Sequence, residues 1–206
     1  MNQDFINTGT TTAWDDIDFH DWHGGVEYYG FWALIIEDSE WLKVVSEAAS
    51  CLSPYVHKEY RRQPHVSIIA GGLMSEQYYS PTIINKHKQA LLQASMPSFS
   101  IRLVGLDSFT SAPYLTVADT DGGLDCLRKQ LLAIASEDNL ENYQPHITLG
   151  LYKDEFFTIA IGETMSAFNM AMVKPHIVTE VKFCSYQTND IQGRITVLDS
   201  IELNSK

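Results

Sequence analysis

Basic residues are scarce in this chain. Its 206 residues include 14 Lys and Arg against 26 Asp and Glu, a formal net charge of −12. An excess of that sign excludes a long nucleic-acid-binding face, which needs clustered Lys and Arg against phosphates. Cysteine is almost absent too: Cys51, Cys126 and Cys184 are odd in number and lack any CxxC spacing. They exclude a disulfide framework or a zinc site and read as reduced, partly buried residues of a cytosolic protein. Long hydrophobic runs are missing. The longest strongly apolar stretch, Phe31 to Ile36, falls far short of the about 20 residues that span a bilayer. The opening MNQDFINTGTTTAWDD has neither a basic n-region nor an apolar h-region, so no signal peptide and a cytoplasmic location are expected.

What is present is ordinary for one folded unit: 45% apolar and 19% charged residues over a length that suits one domain. Residues 1–24 stand apart, with Asp4, Asp15, Asp16, Asp18 and Asp21 but no Lys or Arg. They read as an irregular acidic arm that Trp14 and Trp22 anchor to a body of residues 25–206. In the body, YYGFWALII (28–36) reads as a buried strand, and a helix capped by Ser39 runs to about Leu52. HVSIIA (65–70) is a strand stopped by Gly71-Gly72, followed by a helix over 75–94 interrupted near Pro81. Strands at 99–107 and 113–118, a helix at 123–136, a strand at 146–152 and a helix at 154–168 follow. Two long strands, 176–187 and 193–202, close the chain around a turn with Asn189-Asp190 and Gly193. Helices mixed with hairpins indicate an α+β fold with mainly antiparallel sheets.

One short repeat carries the chemistry. Residues 63–68 read Gln-Pro-His-Val-Ser-Ile and residues 144–149 read Gln-Pro-His-Ile-Thr-Leu, alike in class at every position. In a strand, residues i and i+2 share a face. His65 and Ser67 therefore point one way while Val66 and Ile68 turn into apolar packing, and His146 and Thr148 repeat this against Ile147 and Leu149. Pro64 and Pro145 suit the first position of a strand and hold each Gln extended. Each copy thus offers an imidazole beside a hydroxyl on rigid backbone. Face to face, two copies suit phosphodiester cleavage. One neutral histidine acts as base, the other, protonated, as acid, and the hydroxyls donate to the non-bridging oxygens.

The paired His65-Val66-Ser67 and His146-Ile147-Thr148 motifs, with the first strand Phe31-Trp32-Ala33-Leu34, resemble those of the 2H phosphoesterase superfamily. That superfamily includes bacterial 2′-5′ RNA ligase-like proteins and plant and yeast cyclic nucleotide phosphodiesterases. The resemblance covers most of residues 28–206. It implies two lobes related by pseudo-twofold symmetry, antiparallel sheets flanking a central groove, and helices outside. It also implies His65 and His146 as the acid/base pair, Ser67 and Thr148 as phosphate ligands, and Trp32 and Tyr152 as contacts to the base. The acidic arm has no counterpart in it.

Lys58, Arg61 and Arg62 form the one local basic cluster. The cluster, with Arg61 the candidate substrate-binding residue, either receives a terminal phosphate or second nucleotide or is a solvated loop balancing acidic neighbours. His20 and His23 among aspartates read as solvated surface rather than a metal site, His176 as structural, and His57 and His87 as surface. The aspartates 119, 121 and 125 lack the glutamate that a calcium loop requires. The expected activity is hydrolysis of 2′,3′-cyclic phosphates or of 2′-5′ linked or cyclic oligonucleotides by two histidines, without cofactor or metal. A small nucleotide or short oligonucleotide is the expected partner of a monomer with no membrane contact. The alternative is a nucleotide-binding sensor that keeps the fold without catalysis, and a metallohydrolase using His20 and His23 is a third reading that EDTA would separate.

Overall fold

A computed structural model describes residues 3–14, 22–135 and 143–205. The β-branched and aromatic segments form β1 (Tyr28–Ile35), β2 (His65–Leu73), β3 (Phe99–Ser108), β4 (Pro113–Asp119), β5 (His146–Thr148), β6 (His176–Val178), β7 (Glu180–Gln187) and β8 (Thr196–Glu202). The helices are α1 (Gln3–Asn7), α2 (Ser39–Leu52), α3 (Pro81–Ala94), α4 (Gly123–Leu132) and α5 (Thr158–Ala167). Two four-stranded sheets result, in the orders β2-β1-β7-β8 and β5-β4-β3-β6, with every pair antiparallel. This is the two-lobed α+β architecture expected, and the two motif strands are edge strands of different sheets. No helix among the described residues is long and apolar enough to cross a membrane.

The element boundaries differ from the sequence reading where local chemistry decides. Asp38, not Ser39, caps α2, its carboxylate accepting from the backbone N–H groups of Glu40 and Trp41. Ser80 caps α3 and Pro81 opens it, so the helix begins where an interruption was expected. Gly71 and Gly72 do not stop β2 but continue it, Gly72 pairing with Gly30, and glycine at 71 makes room for the Tyr79 ring that a Cβ there would overlap. The expected strand 176–187 splits at Thr179: β6 pairs with β3 in one sheet and β7 with β1 in the other. Of the expected acidic arm, residues 15–21 lie outside the described residues, Trp22 stands 5.7 Å from the Tyr29 ring of β1, and residues 3–14 are partly regular. They form α1 and a segment bonded to the second lobe by Thr11 N–H to Phe156 O and Trp14 N–H to Tyr152 O, both at 2.9 Å. Phe5 of α1 is buried in the core.

One apolar core joins the lobes. Trp32, Val66 and Ile68 of the first sheet share it with Leu115, Val117 and Ile147 of the second and with Trp41, Leu52, Leu127 and Leu131 of the helices. The helices cross over: α4 leaves the second sheet to pack on β2, and α2 leaves the first to pack on α5 and β4. From α4 the buried Arg128 reaches under the motif strand, its Nη1 donating to Ile68 O at 2.6 Å. The same guanidinium lies 3.8 Å from the ring centroid of Tyr143, whose hydroxyl donates to Ser67 O at 2.8 Å. Arg128 thereby braces the junction of the two motif strands.

Arg128→Met keeps the apolar stem but strands the Ile68 carbonyl without its donor. We expect the unfolding free energy to fall by about 1–3 kcal/mol in urea denaturation. An unchanged midpoint would refute the bracing role.

Candidate active site

The side chains of each motif alternate as the period of two requires. Val66, Ile68, Ile147 and Leu149 are buried in the core, while His65, Ser67, His146 and Thr148 occupy the opposite faces of β2 and β5. In β2, Ser67 pairs with Ala33 and Ile69 with Trp32, so Ile68 is a bulge residue and Ala70 returns to the face of His65 and Ser67. The residue before each proline fixes a ring. Gln63 O lies 2.8 Å from His65 Nδ1, and Gln144 O lies 2.6 Å from His146 Nδ1. A carbonyl only accepts, so Nδ1 carries the proton in both neutral rings and Nε2 is left as the basic nitrogen. The same repeat therefore sets the same tautomer twice. Gln63 is held in turn, its side-chain amide exchanging two 2.9 Å hydrogen bonds with the backbone N–H and C=O of Ile195.

Burial holds the His65 imidazole well below its usual value, at about 4. The Gln63 carbonyl opposes this, and the nearby positive charges of Arg62 and His146 add to it. Burial also lowers His146, opposed by the Gln144 carbonyl. Aromatic rings wall both histidines: Phe31 stands 5.6 Å from His65, and Phe109 and Tyr114 stand 5.0 and 5.1 Å from His146 between ring centroids. A cleft of about 210 Å³ opens between Phe31, Arg62, His65, Ser67 and Tyr186. The Arg62 guanidinium sits 4.0 Å over the Tyr186 ring, with Nε and Nη2 buried and lacking hydrogen-bond partners among the described residues. A buried donor set of that kind is costly unless an anion completes it. Tyr60, whose phenol burial pushes up to about 12, meets the Thr148 hydroxyl across the lobe boundary.

The structure thus brings His65, Ser67, His146 and Thr148 into one region and leaves three other candidates out. Trp32 is fully buried in the core, its indole N–H donating to Tyr79 Oη at 3.0 Å. Because Ala33 pairs with Ser67 on the motif face, its neighbour Trp32 faces away by parity. Phe31 is the first-strand aromatic beside His65. Tyr152 is also fully buried, its hydroxyl bonded to Ser108 Oγ at 2.7 Å. The strand ends at Thr148, so alternation does not carry on to position 152, and Tyr114 and Phe109 line His146 instead. Arg61 is exposed and pairs with Asp190 at 2.8 Å; its neighbour Arg62 is the residue turned to the cleft.

His20 lies outside the described residues, and His23 Nδ1 accepts from Gly25 N–H at 3.1 Å. Among the described residues no group of three His, Cys, Asp or Glu could hold a metal ion. His87, expected at the surface, is fully buried with Nδ1 at 2.7 Å from Tyr79 Oη. His176 packs on Trp41, at 5.5 Å between ring centroids. Asp119 accepts from the N–H groups of Gly123 and Asp125 at the start of α4, and so serves the helix end. Sequence reasoning had Arg62 within the basic cluster and missed the site contacts of Tyr60, Phe31, Tyr114 and Tyr186, which tertiary packing sets.

Comparison with known proteins gives the same frame. A family profile described as the 2′-5′ RNA ligase superfamily matches residues 37–189. LigT of E. coli complexed with ATP matches at 16% identity and TM-score 0.53, covering 86% of this chain and 99% of its own. The same protein complexed with NADP+ matches at 16% identity and TM-score 0.52, with 86% and 98% covered. TT0787 of Thermus thermophilus matches at 14% identity and TM-score 0.57, with 86% and 99% covered. At such identities the likeness is one of fold. No curated protein matches the chain significantly.

Histidine titration by two-dimensional NMR checks the electrostatics directly. We expect Nδ1–H tautomers at both sites, a midpoint of about 4 for His65, and one below 6.5 for His146. Removing the neighbouring cation in Arg62→Gln raises the His65 midpoint. A His65 midpoint at or above 6.5 would overturn this account.

Proposed function

Because the chain belongs to the 2′-5′ RNA ligase superfamily, we propose that it is a metal-independent phosphodiesterase. It opens 2′,3′-cyclic phosphates or 2′-5′ linkages of small nucleotides by two-histidine acid/base chemistry. The observation that carries this is the duplicated clamp: two imidazoles of one tautomer, each beside a hydroxyl, on facing edge strands. Nucleotides bound to the LigT relatives support the ligand class. The net charge of −12 supports small substrates over long polyanions.

His65 is assigned as the base because burial and the Arg62 charge keep its Nε2 unprotonated and able to accept. It takes a proton from water as the water oxygen bonds to phosphorus. His146, which Arg62 is not found to depress, gives its proton to the departing ribose oxygen as the P–O bond breaks. Ser67, Thr148 and the unfilled donors of Arg62 face the non-bridging oxygens, where charge grows. Phe31 and Tyr186 provide the apolar wall for a base or ribose. The aromatic contacts are thus reassigned from Trp32 and Tyr152.

Turnover of a panel of 2′,3′-cyclic nucleotides and 2′-5′ linked dinucleotides in EDTA tests the reading. His65→Ala and His146→Ala should each cost about 10²–10⁴-fold in kcat/KM. Ser67→Ala and Thr148→Val should each cost about 10²-fold. Activity that survives both histidine substitutions rules the mechanism out. Nucleotide binding without turnover in the wild type turns the assignment to the sensor reading.

The pH profile has a defined sign. The base needs unprotonated His65, lost as pH falls through about 4, and the acid needs protonated His146, lost as pH rises through a value below 6.5. In free enzyme kcat/KM should peak between those limits. A profile still climbing from pH 7 to 8 contradicts the assignment of roles.

A further inference from the structure

A second recess, of about 340 Å³, lies on the β7–β8 hairpin, lined among others by Tyr28, Arg61, Tyr186, Asp190 and Arg194. Tyr186 also lines the cleft at His65, so one ring borders both spaces. Of the five arginines in this acidic chain, three, Arg61, Arg62 and Arg194, gather around it. Asp190 neutralises Arg61 through the 2.8 Å pair, while Arg194 is exposed and forms no ion pair among the described residues. The recess therefore holds one uncompensated guanidinium, next to a second, Arg62, whose buried donors face the cleft.

The recess is also fixed to the catalytic strand. Arg61 N–H donates to Gln192 O at 2.7 Å, and the Gln63 amide holds Ile195 from both sides. Gly193 N–H closes the turn on Asp190 O at 2.9 Å, where a Cβ would overlap the Asp190 carboxylate. Arg194 stands on the hairpin turn and Arg61 on the segment that leads into β2, the two held together around the residue whose carbonyl orients His65.

We propose that this recess is a second anion subsite, taking a phosphate or pyrophosphate carried by the same nucleotide whose scissile phosphate lies between the histidines. The proposal rests on the phosphodiesterase reading and narrows its substrate class to nucleotides with two separate phosphate groups. A guanidinium meets two phosphate oxygens at once, so Arg194 suits a terminal phosphate. Asp190, which also lines the recess, keeps Arg61 in place and limits the attraction to small, highly charged groups.

Calorimetry with adenosine 2′-monophosphate, adenosine 2′,5′-bisphosphate and inorganic pyrophosphate tests this without turnover. The bisphosphate should bind wild type at least about tenfold more tightly than the monophosphate, as a charge-assisted contact implies. In Arg194→Gln that advantage should fall below about twofold, with Arg194→Lys intermediate. Equal affinities in wild type, or an advantage kept in Arg194→Gln, would overturn the subsite. Pyrophosphate separates this proposal from the one beneath it. Binding of pyrophosphate that Arg194→Gln abolishes upholds the anion site even if no cyclic nucleotide is hydrolysed. Failure of pyrophosphate and bisphosphate alike to use Arg194 removes the site even if hydrolysis is robust.

Discussion

Two carbonyl oxygens govern this site. Each belongs to the residue two before a motif histidine and is held in place by the extended backbone that the intervening proline imposes. An imidazole free to rotate could present either nitrogen in either tautomer. Bonded to Gln63 O or Gln144 O, it presents one nitrogen in one protonation pattern. The hydroxyl two residues on shares the face because the strand alternates, and the apolar residues between them hold the strand by burial in the common core. Imidazole, hydroxyl and scaffold thus come from six consecutive residues, and the fold needs only to bring two copies together.

Bringing them together has an electrostatic consequence. Water is partly removed from both rings, so both lose proton affinity, and the adjacent Arg62 lowers His65 further. The site holds neutral imidazoles beside the buried donors of Arg62. On the proposed reading, a phosphate diester would bring a counter-charge, raise the proton affinity of the ring beside its leaving oxygen and accept from Arg62, so that recognition and activation would rest on the same Coulomb interaction.

Much of this was legible in the sequence, and the residues that were not share a cause. The hexapeptides placed His65, Ser67, His146 and Thr148 on their faces because alternation is local. The choice between Phe31 and Trp32 depends on which face of β1 adjoins β2. That is set by the register of Ala33 against Ser67, a tertiary fact. Tyr152 failed because β5 is only His146–Thr148, and backbone beyond its end obeys no period. Arg61 and Arg62 are neighbours with opposite environments, one paired to Asp190 across the hairpin and the other laid over Tyr186. His87 read as surface because its burial is rewarded by the Tyr79 hydroxyl, which nothing local reveals.

The internal repeat invites the picture of two small enzymes fused, yet the break at Thr179 contradicts it. On one side of that residue the backbone completes one sheet, and on the other it forms an inner strand of the second. The crossed packing of α2 and α4 and the continuous core tie the halves again. The main core is shared by both halves, so severing the chain between the motifs leaves two incomplete fragments rather than two smaller copies of the whole. Duplication here supplied symmetry of chemistry without autonomy of folding.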